Sequence, residues 1–456
     1  VKTIKVAKGL SFPVRQPALA VRKVSPPRRL VYPTGNRWGW LYPEVKEGDA
    51  VGAGQVIASS SLPYVPSLKT AISGTVREII KLPTLQLREG QAIVIEAAED
   101  VSSVSQSVSI GEDASPVEIF KAIMDAGIWE VDDYALPLHL RVAAPEVIEE
   151  YIKESGESEF VESLRNIPYR DRAIETLIVN ALDRQPQSWV RSHIFASDSD
   201  RIVAGVRLLQ RLSGAKQTIV AVPSHLADSE STKKVMDALK AEVAVSNGKY
   251  PASLEPILIL TLTGKEMVFP SKNSRECGVA VVDVMALEQL VKAVLESNED
   301  REVTVQVNLS GRREYHLLKC PVGTPVLHII DHLALNPDSL TKVVLGGDFL
   351  GYAHYDLDVP ITGEVDVLSL WDTEIFHYKH DPCIRCGFCV RVCPMNLVPA
   401  EISMCCEYNR FEEAVGKGIY HCIECGLCSY VCPSHRPMVQ LIRHGKQELE
   451  RAREVS

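Results

Sequence analysis

The sequence has no run of eighteen or more apolar residues, so none of it is suited to cross a bilayer as a helix. Near its start there is no apolar stretch followed by a small-residue cleavage site, so no secretory signal is expected; the opening Val1 leaves room for an initiator Met or a longer leader. Positive charge is not in excess. Lys and Arg total 49 against 59 Asp and Glu, a net charge of −10, which argues against bulk neutralisation of nucleic-acid phosphates. No Walker loop and no hydrolytic triad stands out. What is present is ordinary soluble-protein composition, 46% hydrophobic and 24% charged, over 456 residues. That length implies three or four domains.

Cysteine is unevenly spread. Of twelve, ten fall between Cys383 and Cys432. Such crowding in a long chain without a signal points to metal binding in a reducing, cytoplasmic compartment rather than to disulfides.

Along the chain, residues 1–29 are basic and proline-containing (Arg15, Arg22, Lys23, Arg28, Arg29; Pro13, Pro17, Pro26, Pro27), which predicts an extended arm over the surface, with docking to an acidic partner as the alternative. Residues 30–100 alternate short β-branched runs with turns, and VKEGDAVGAGQVIAS followed by AISGTVREI resembles a barrel-sandwich hammerhead of the biotinyl or lipoyl type. Lys69 is the nearest candidate for a carrier lysine, but no Met-Lys-Met flanks it, so a structural role is expected. Residues 115–270 alternate helix and strand: a helix ending at Gly127, a buried strand over 175–181, an amphipathic helix over 198–212, a strand over 217–222, a helix around 235–240 and a strand over 256–262. This predicts a Rossmann-like α/β domain with a mainly parallel sheet. Residues 300–350 read as a β-grasp, SLBB-like unit. Residues 375–456 form an α-helical dicluster ferredoxin domain, closed by a charged helix with an apolar stripe at Val439, Leu441, Ile442 and Leu449.

The chemistry lies in two motifs, Cys383-Ile-Arg-Cys386-Gly-Phe-Cys389-Val-Arg-Val-Cys393-Pro394 and Cys422-Ile-Glu-Cys425-Gly-Leu-Cys428-Ser-Tyr-Val-Cys432-Pro433. They agree at eight of twelve positions, an internal repeat. Three cysteines two residues apart grip three corners of a cubane, and the fourth reaches the other cluster. One [4Fe–4S] cluster is therefore assigned Cys383, Cys386, Cys389 and Cys432, and the second Cys422, Cys425, Cys428 and Cys393. Gly387 and Gly426 allow close backbone approach, and Pro394 and Pro433 suit a helix start. Zinc explains one C-x-x-C pair but not two four-cysteine runs each followed by proline. Cys405 and Cys406 are expected to pack between the motifs, Cys277 and Cys320 to be buried thiols, and His380, His421 and His435 to be packed or solvated rather than ligands.

At this point the order of domains, with the segment from Cys422 to Lys446 (CIECGLCSYVCPSHRPMVQLIRHGK), resembles RnfC, the NADH-oxidising iron–sulfur subunit of the Rnf ion-pumping complex; NqrA and the cobalamin reductase PduS share much of this plan. Lys8 to Val14 (KGLSFPV) is more similar to NqrA. The resemblance implies a position at the cytoplasmic face of a membrane, held by partner subunits that are membrane-embedded or flavoproteins, and it implies FMN. In RnfC a glycine-rich GLGGAGFPT loop holds FMN and receives NADH. Here the matching stretch is Gly127-Ile-Trp-Glu-Val-Asp-Asp-Tyr-Ala-Leu-Pro137, where Trp129, Glu130, Asp132, Asp133 and Tyr134 oppose a phosphate by bulk and charge. The later acidic stretch of RnfC reads Asn180-Ala-Leu-Asp183-Arg-Gln-Pro186-Gln here. The expectation is therefore an electron-transfer subunit of an oxidoreductase complex with two [4Fe–4S] clusters, no catalytic residue of its own and a degenerate FMN/NADH loop. The alternatives are an FMN-dependent NADH dehydrogenase subunit acting on ferredoxin, quinone or corrinoid, to which Tyr250-Pro251 and Thr263-Gly264-Lys265 lend support; a quinone-site protein of the NqrA kind; and a non-enzymatic docking scaffold.

Overall fold

The computed structural model describes residues 2–455 other than 13–15, 18, 37–38, 63–64, 84–88, 99–109, 112, 129, 131–135, 157–163, 168, 268, 270–272, 297–300 and 374–380. Pro13, Arg15, Trp129, Asp132, Asp133, Tyr134 and His380 thus lie outside the described residues.

The N-terminal segment is extended, but it is tied into the fold rather than laid over the surface. β1 (Lys2–Ile4) adds a parallel strand to the edge of the main sheet, and Ile4 is fully buried. β2 (Leu10–Ser11) pairs antiparallel with Lys249–Tyr250. β3 (Val21–Lys23) pairs parallel with Leu317–Lys319 of the second large sheet. Proline and basic residues had suggested a solvated arm; strand pairing by whatever backbone N–H groups remain decides otherwise.

The first domain holds β4 (Arg29–Pro33), β5 (Ala50–Val51), β6 (Gly74–Pro83) and β7 (Glu89–Ala97), in sheet order β4-β7-β6-β5, all neighbours antiparallel. Side chains alternate along these strands. Leu30, Tyr32, Ile93 and Ile95 fill the domain's own core, while Val31, Ala92 and Val94 face the opposite way and join the core under the second large sheet. Lys69 lies on a short strand paired with Val56–Ser59.

The α/β domain opens with α1 (Pro116–Ala126), whose start is fixed by the Ser115/Glu118 capping box and whose end is Gly127 in the left-handed conformation. There follow α2 (Leu138–Val142), α3 (Pro145–Ser155), β8 (Thr176–Asn180), α4 (Val190–Ser197), α5 (Ser199–Ser213), β9 (Gln217–Val222), α6 (Glu230–Leu239), β10 (Glu242–Ser246), α7 (Glu255–Thr263), β11 (Val279–Asp283) and α8 (Val284–Val294). The sheet is wholly parallel, in order β1-β10-β9-β8-β11. Its strands are buried on both faces, as parallel sheets under helices are.

One expected strand is a helix. Residues 256–262 lie in α7, with Pro256 in its first turn and Gly264 left-handed at its end. A short apolar run fits a buried helix as well as a strand, and the Pro-before, Gly-after bracket is the signal that favours the helix. The strand beside β8 is instead β11.

The second large sheet contains β12 (Glu302–Leu309), β13 (Glu314–Pro321), β14 (Lys342–Leu345), β15 (Tyr352–His354) and β16 (Val367–Trp371), in order β15-β14-β16-β12-β13-β3. Helix α9 (Val326–His332) packs on it, and α10 (Gly347–Leu350) follows β14. The chain ends in a helical unit: α11 (Phe388–Val392), α12 (Pro399–Glu407), α13 (Phe411–Gly416), α14 (Leu427–Tyr430) and α15 (Met438–Val455). Val439, Ile442 and Leu449 of α15 are buried, with Leu441 half-buried. Among the described residues no helix is long and apolar enough to cross a membrane.

Candidate functional site

The two cysteine motifs form mirrored turn–helix units. Gly387 (φ 75°) precedes α11 and Gly426 (φ 81°) precedes α14, and both hold the left-handed backbone that starts each helix. The preceding residues Arg385 (φ 57°) and Glu424 (φ 54°) are left-handed too, so each ligand turn is wound tightly. Backbone N–H groups point at sulfur: Glu424 N lies 3.4 Å from Cys422 Sγ, Leu427 N–H bonds Cys425, and Val390 and Ala400 N–H bond Cys389.

Cys393, from the first motif, stands with Cys422, Cys425 and Cys428 around one cavity that is otherwise lined by apolar side chains such as Met395, Ile423 and Ile442. Cys383 and Cys386 neighbour Cys389. Burial pushes the Cys425 thiol up to about 12 and raises Cys428, Cys422 and Cys389 as well. The pocket therefore does not stabilise bare thiolates; an iron–sulfur cluster held there would supply the compensating charge. Among the described residues no three His, Cys, Asp or Glu side chains converge enough to hold a single ion. Cubane ligands each bind a different iron and surround a space, whereas zinc ligands converge on one point. The donor set fits a [4Fe–4S] cluster.

The two turns face different surroundings. The Cys422–Cys428 turn is clamped from three sides. Tyr250 Oη donates to Cys425 O at 2.7 Å. The Gly426 Cα packs so closely on Phe349 that an added Cβ would lie 3.1 Å from its backbone oxygen. From α15, Arg443 donates to Leu350 O, Gly351 O and Glu424, while Lys446 Nζ donates to Cys422 O and Glu424, both at 2.6 Å. Phe12, Tyr250, Phe349 and Tyr430 form a contiguous aromatic group beside this turn. The Cys383–Cys389 turn is open: Cys386 is exposed and Ile384 is 66% exposed.

The remaining sequence candidates are placed as follows. Cys405 and Cys406 are buried in the core between α12 and α15, and Cys320 is buried too. Cys277, expected to be buried, is partly exposed, because it sits at the end of a short 3-10 turn where its thiol donates to Glu266 O. His421 is exposed beside Phe269. Lys265 bonds Glu175, just before β8, and so lies at the amino ends of the strands, opposite Asn180 and Asp283 at their carboxyl ends. Sequence reasoning missed Phe12, Phe349, Glu424, Arg443 and Lys446. The one available signal was the Arg385/Glu424 difference at matched positions of the repeat.

At the carboxyl ends of β8 and β11, polar groups are matched to one another. Asp183 accepts from Arg191 and Ser192 N–H and so occupies the α4 N-terminus with the chain's own carboxyl. Burial pushes that carboxyl up to about 7. Arg191 is paired with Asp283, both buried. Elsewhere in the domain, buried Glu130 is paired with Arg141. Asn180 bonds Ser253 O and Leu182 N–H, and Gln185 bonds Gly346 O.

Family models match in four places. The "RnfC Barrel sandwich hybrid domain" covers residues 6–100, the "Nuo51 FMN-binding domain" residues 147–292, and "4Fe-4S binding domain" models residues 375–398 and 419–438. The C-subunit of the proton-translocating ferredoxin:NAD(+) oxidoreductase complex of Clostridium ljungdahlii is 28% identical over 82% of this chain and 77% of its own length. The C-subunit of the Na(+)-translocating ferredoxin:NAD(+) oxidoreductase complex of Acetobacterium woodii is 24% identical over 89% and 87%. The C-subunit of the ion-translocating oxidoreductase complex of Yersinia pseudotuberculosis is 30% identical over 60% of this chain and 40% of its own length. A chain of an NAD+-reducing [NiFe]-hydrogenase superimposes with a TM-score of 0.47 at 14% identity, covering 76% of this chain and 67% of that one. The barrel-sandwich domain, the paired cluster motifs and the near full-length relatives agree, and the chain belongs to the RnfC family.

Proposed function

We propose that this chain is the iron–sulfur relay subunit of an Rnf-like oxidoreductase complex, seated at the cytoplasmic face of a membrane through partner subunits, and that it acts without an FMN/NADH site of its own. When bound, two [4Fe–4S] clusters supply one-electron transfer. The observation that carries the reading is the crossing of the motifs: Cys393 lines the cavity of Cys422, Cys425 and Cys428. Crossed ligation holds the two donor sets side by side, and the chain's own residues give them unequal surroundings. Tyr250, Phe349 and Arg443 fix the second set against the body of the protein, while the first set is left open. The finer assignments, a Rossmann-like α/β domain and an SLBB-like β-grasp unit, fit the sheet orders.

Against a resident flavin stand Glu130, which is buried and paired with Arg141, and Asp183, which fills the helix end where a phosphate would be favoured. A second reading, an FMN-dependent NADH dehydrogenase subunit with a divergent loop, is favoured by the FMN-binding family model over residues 147–292. Counting iron and flavin in anaerobically purified protein, with EPR spectra, decides between them. The relay reading expects about eight irons, no flavin and two interacting cluster signals. Stoichiometric FMN reduced by NADH establishes the second reading. Zinc, or far fewer irons, refutes both.

A further inference from the structure

The four positions at which the repeats differ pair Arg385 with Glu424, Phe388 with Leu427, Val390 with Ser429, and Arg391 with Tyr430. In the second turn, Leu427 is fully buried and Glu424 is paired with Arg443 and Lys446. In the first, Phe388 is 41% exposed, and neither Arg385 nor Arg391 forms an ion pair with a described carboxylate; Arg391 lies over the Phe388 ring, 4.5 Å from its centroid. Glu401 feels the charge of Arg385, but its ion pair is with Lys417. Ile384 stands between Cys383 and Cys386. Exposed Val398 precedes the first turn of α12, whose Ala400 N–H bonds Cys389, so these apolar side chains ring one ligand set.

The geometry points to a docking surface on this turn, made by Ile384, Phe388 and Val398 with Arg385 and Arg391, for a small electron-carrying protein that presents an acidic face around its redox centre. The inference rests on the relay reading above. Apolar side chains beside arginines that form no ion pair with a described carboxylate match the make-up of protein interfaces, in which Phe and Arg are enriched. The patch is small, as suits a transient redox encounter. Charge gives the occupant its sign. The chain as a whole carries −10, so an acidic protein is repelled except where arginines stand outside ion pairs. Docking there brings the partner to exposed Cys386, the part of the donor set nearest solvent.

The test uses the full chain, purified anaerobically, and the double variant Arg385→Glu/Arg391→Glu. Glu at 385 is compatible with the backbone, because Glu424 holds the same left-handed conformation in the other repeat. Electron exchange is followed by stopped flow with photoreduced acidic plant-type ferredoxin and, separately, with photoreduced lumiflavin, which is small and neutral. The expected result is a wild-type ferredoxin rate that falls steeply with salt, and a loss of about tenfold or more in the variant at low salt. Both proteins keep about eight irons, and the loss with ferredoxin is far larger than any change with neutral lumiflavin, whose rate reports the cluster's own shift in potential. A wild-type rate indifferent to salt overturns the proposal by itself, whether or not the variant folds. So does an unchanged ferredoxin rate in an iron-replete variant, or a wild-type dimer that the variant dissolves, since that would make the patch a face for a second copy. Failure to find two clusters in the wild type sinks the relay reading instead, and the iron count separates the two failures.

Discussion

Replacing Cys393 with Ala tests the crossing of the two motifs directly. Cys393 belongs to the first motif in sequence, yet it borders the cavity of Cys422, Cys425 and Cys428. If each motif served its own cluster, Cys393→Ala would damage the cluster of Cys383, Cys386 and Cys389. Crossed ligation predicts that it damages the other. The magnitude follows from the stoichiometry: two cubanes give about eight irons per chain, and loss of one leaves about four. The three thiols left behind give poor support to a cubane, because burial raises all of them, Cys425 up to about 12, and so disfavours the thiolates that iron needs. Cys432→Ala is the mirror perturbation and is expected to spare the Cys422 set. The assay is iron analysis together with EPR of the reduced protein. The Cys393→Ala spectrum should match that of Cys422→Ala, should differ from that of Cys383→Ala, and should lack the broadening caused by two neighbouring paramagnets. A Cys393→Ala spectrum that matches Cys383→Ala refutes crossed ligation.

Three further outcomes follow from other residues. Arg275 is fully buried and donates to six backbone carbonyls, those of Leu140, Arg141, Ala143, Tyr169, Arg170 and Arg172, at 2.8–3.3 Å. Lysine has three donors, so Arg275→Lys strands several buried acceptors and should cost roughly 3–5 kcal/mol in urea unfolding, with Arg275→Met costing more. The Asp183 carboxyl is raised by burial to about 7, so the folded chain holds its proton more tightly than the unfolded chain, whose carboxyl titrates near 3.9. Its contribution is then fully present below about pH 4 and is lost as pH rises through about 7; between pH 5.5 and 8 this removes about 2 kcal/mol, and Asp183→Asn should flatten that slope. Lys446 and Glu424 lie against the Cys422 turn with opposite charge, so Lys446→Met should lower and Glu424→Gln should raise the potential of that cluster, each by an amount on the order of 1 kcal/mol in an EPR redox titration, with the other cluster little changed.

How much of this was legible in the sequence depends on the range of the cause. The two turn–helix units were legible because their spacing is local: Cys383 to Cys393 and Cys422 to Cys432 each form one, and the turn needs Gly387 and Gly426 wherever it occurs. Helix α1 was legible from its capping box and its closing glycine. Residues 256–262 were misread because their apolar run has no period, so only the flanking Pro256 and Gly264 could have distinguished helix from strand. The paths of β1 and β3 could not be read at all. Each pairs with a strand that lies some 240 to 300 residues later, and nothing local in Lys2–Ile4 or Val21–Lys23 encodes that pairing. The same holds for Arg443 and Lys446: their place on an amphipathic helix was expected, but their targets Leu350, Gly351 and Cys422 are set by how the helical unit folds on itself and meets the second large sheet.

A duplicated ligand motif is symmetric by construction, and symmetry alone gives electrons no preferred direction. Here the surrounding domains make the two copies unequal, and the four positions where the copies differ are matched to those surroundings. In the second copy, Glu424 anchors Arg443 and Lys446, Leu427 enters a core, Ser429 Oγ accepts from Val439 N–H at 3.0 Å, and Tyr430 packs against Phe12 and Phe349. In the first, Arg385, Phe388 and Arg391 leave the turn exposed. The Arg385/Glu424 and Phe388/Leu427 differences suit the first turn to exposure and the second to burial, and the left-handed backbone at these matched positions holds Arg in one copy and Glu in the other. Exchanging the four residues between the motifs should then weaken the clamp on the second turn without creating one on the first, since Tyr250, Phe349 and Arg443 remain where they are. Hydrogen exchange would show this as lost protection at Cys425 to Tyr430 with no gain at Cys386 to Arg391. Protection that moved with the exchanged residues would mean that the motifs themselves, rather than the domains around them, set which cluster lies inside.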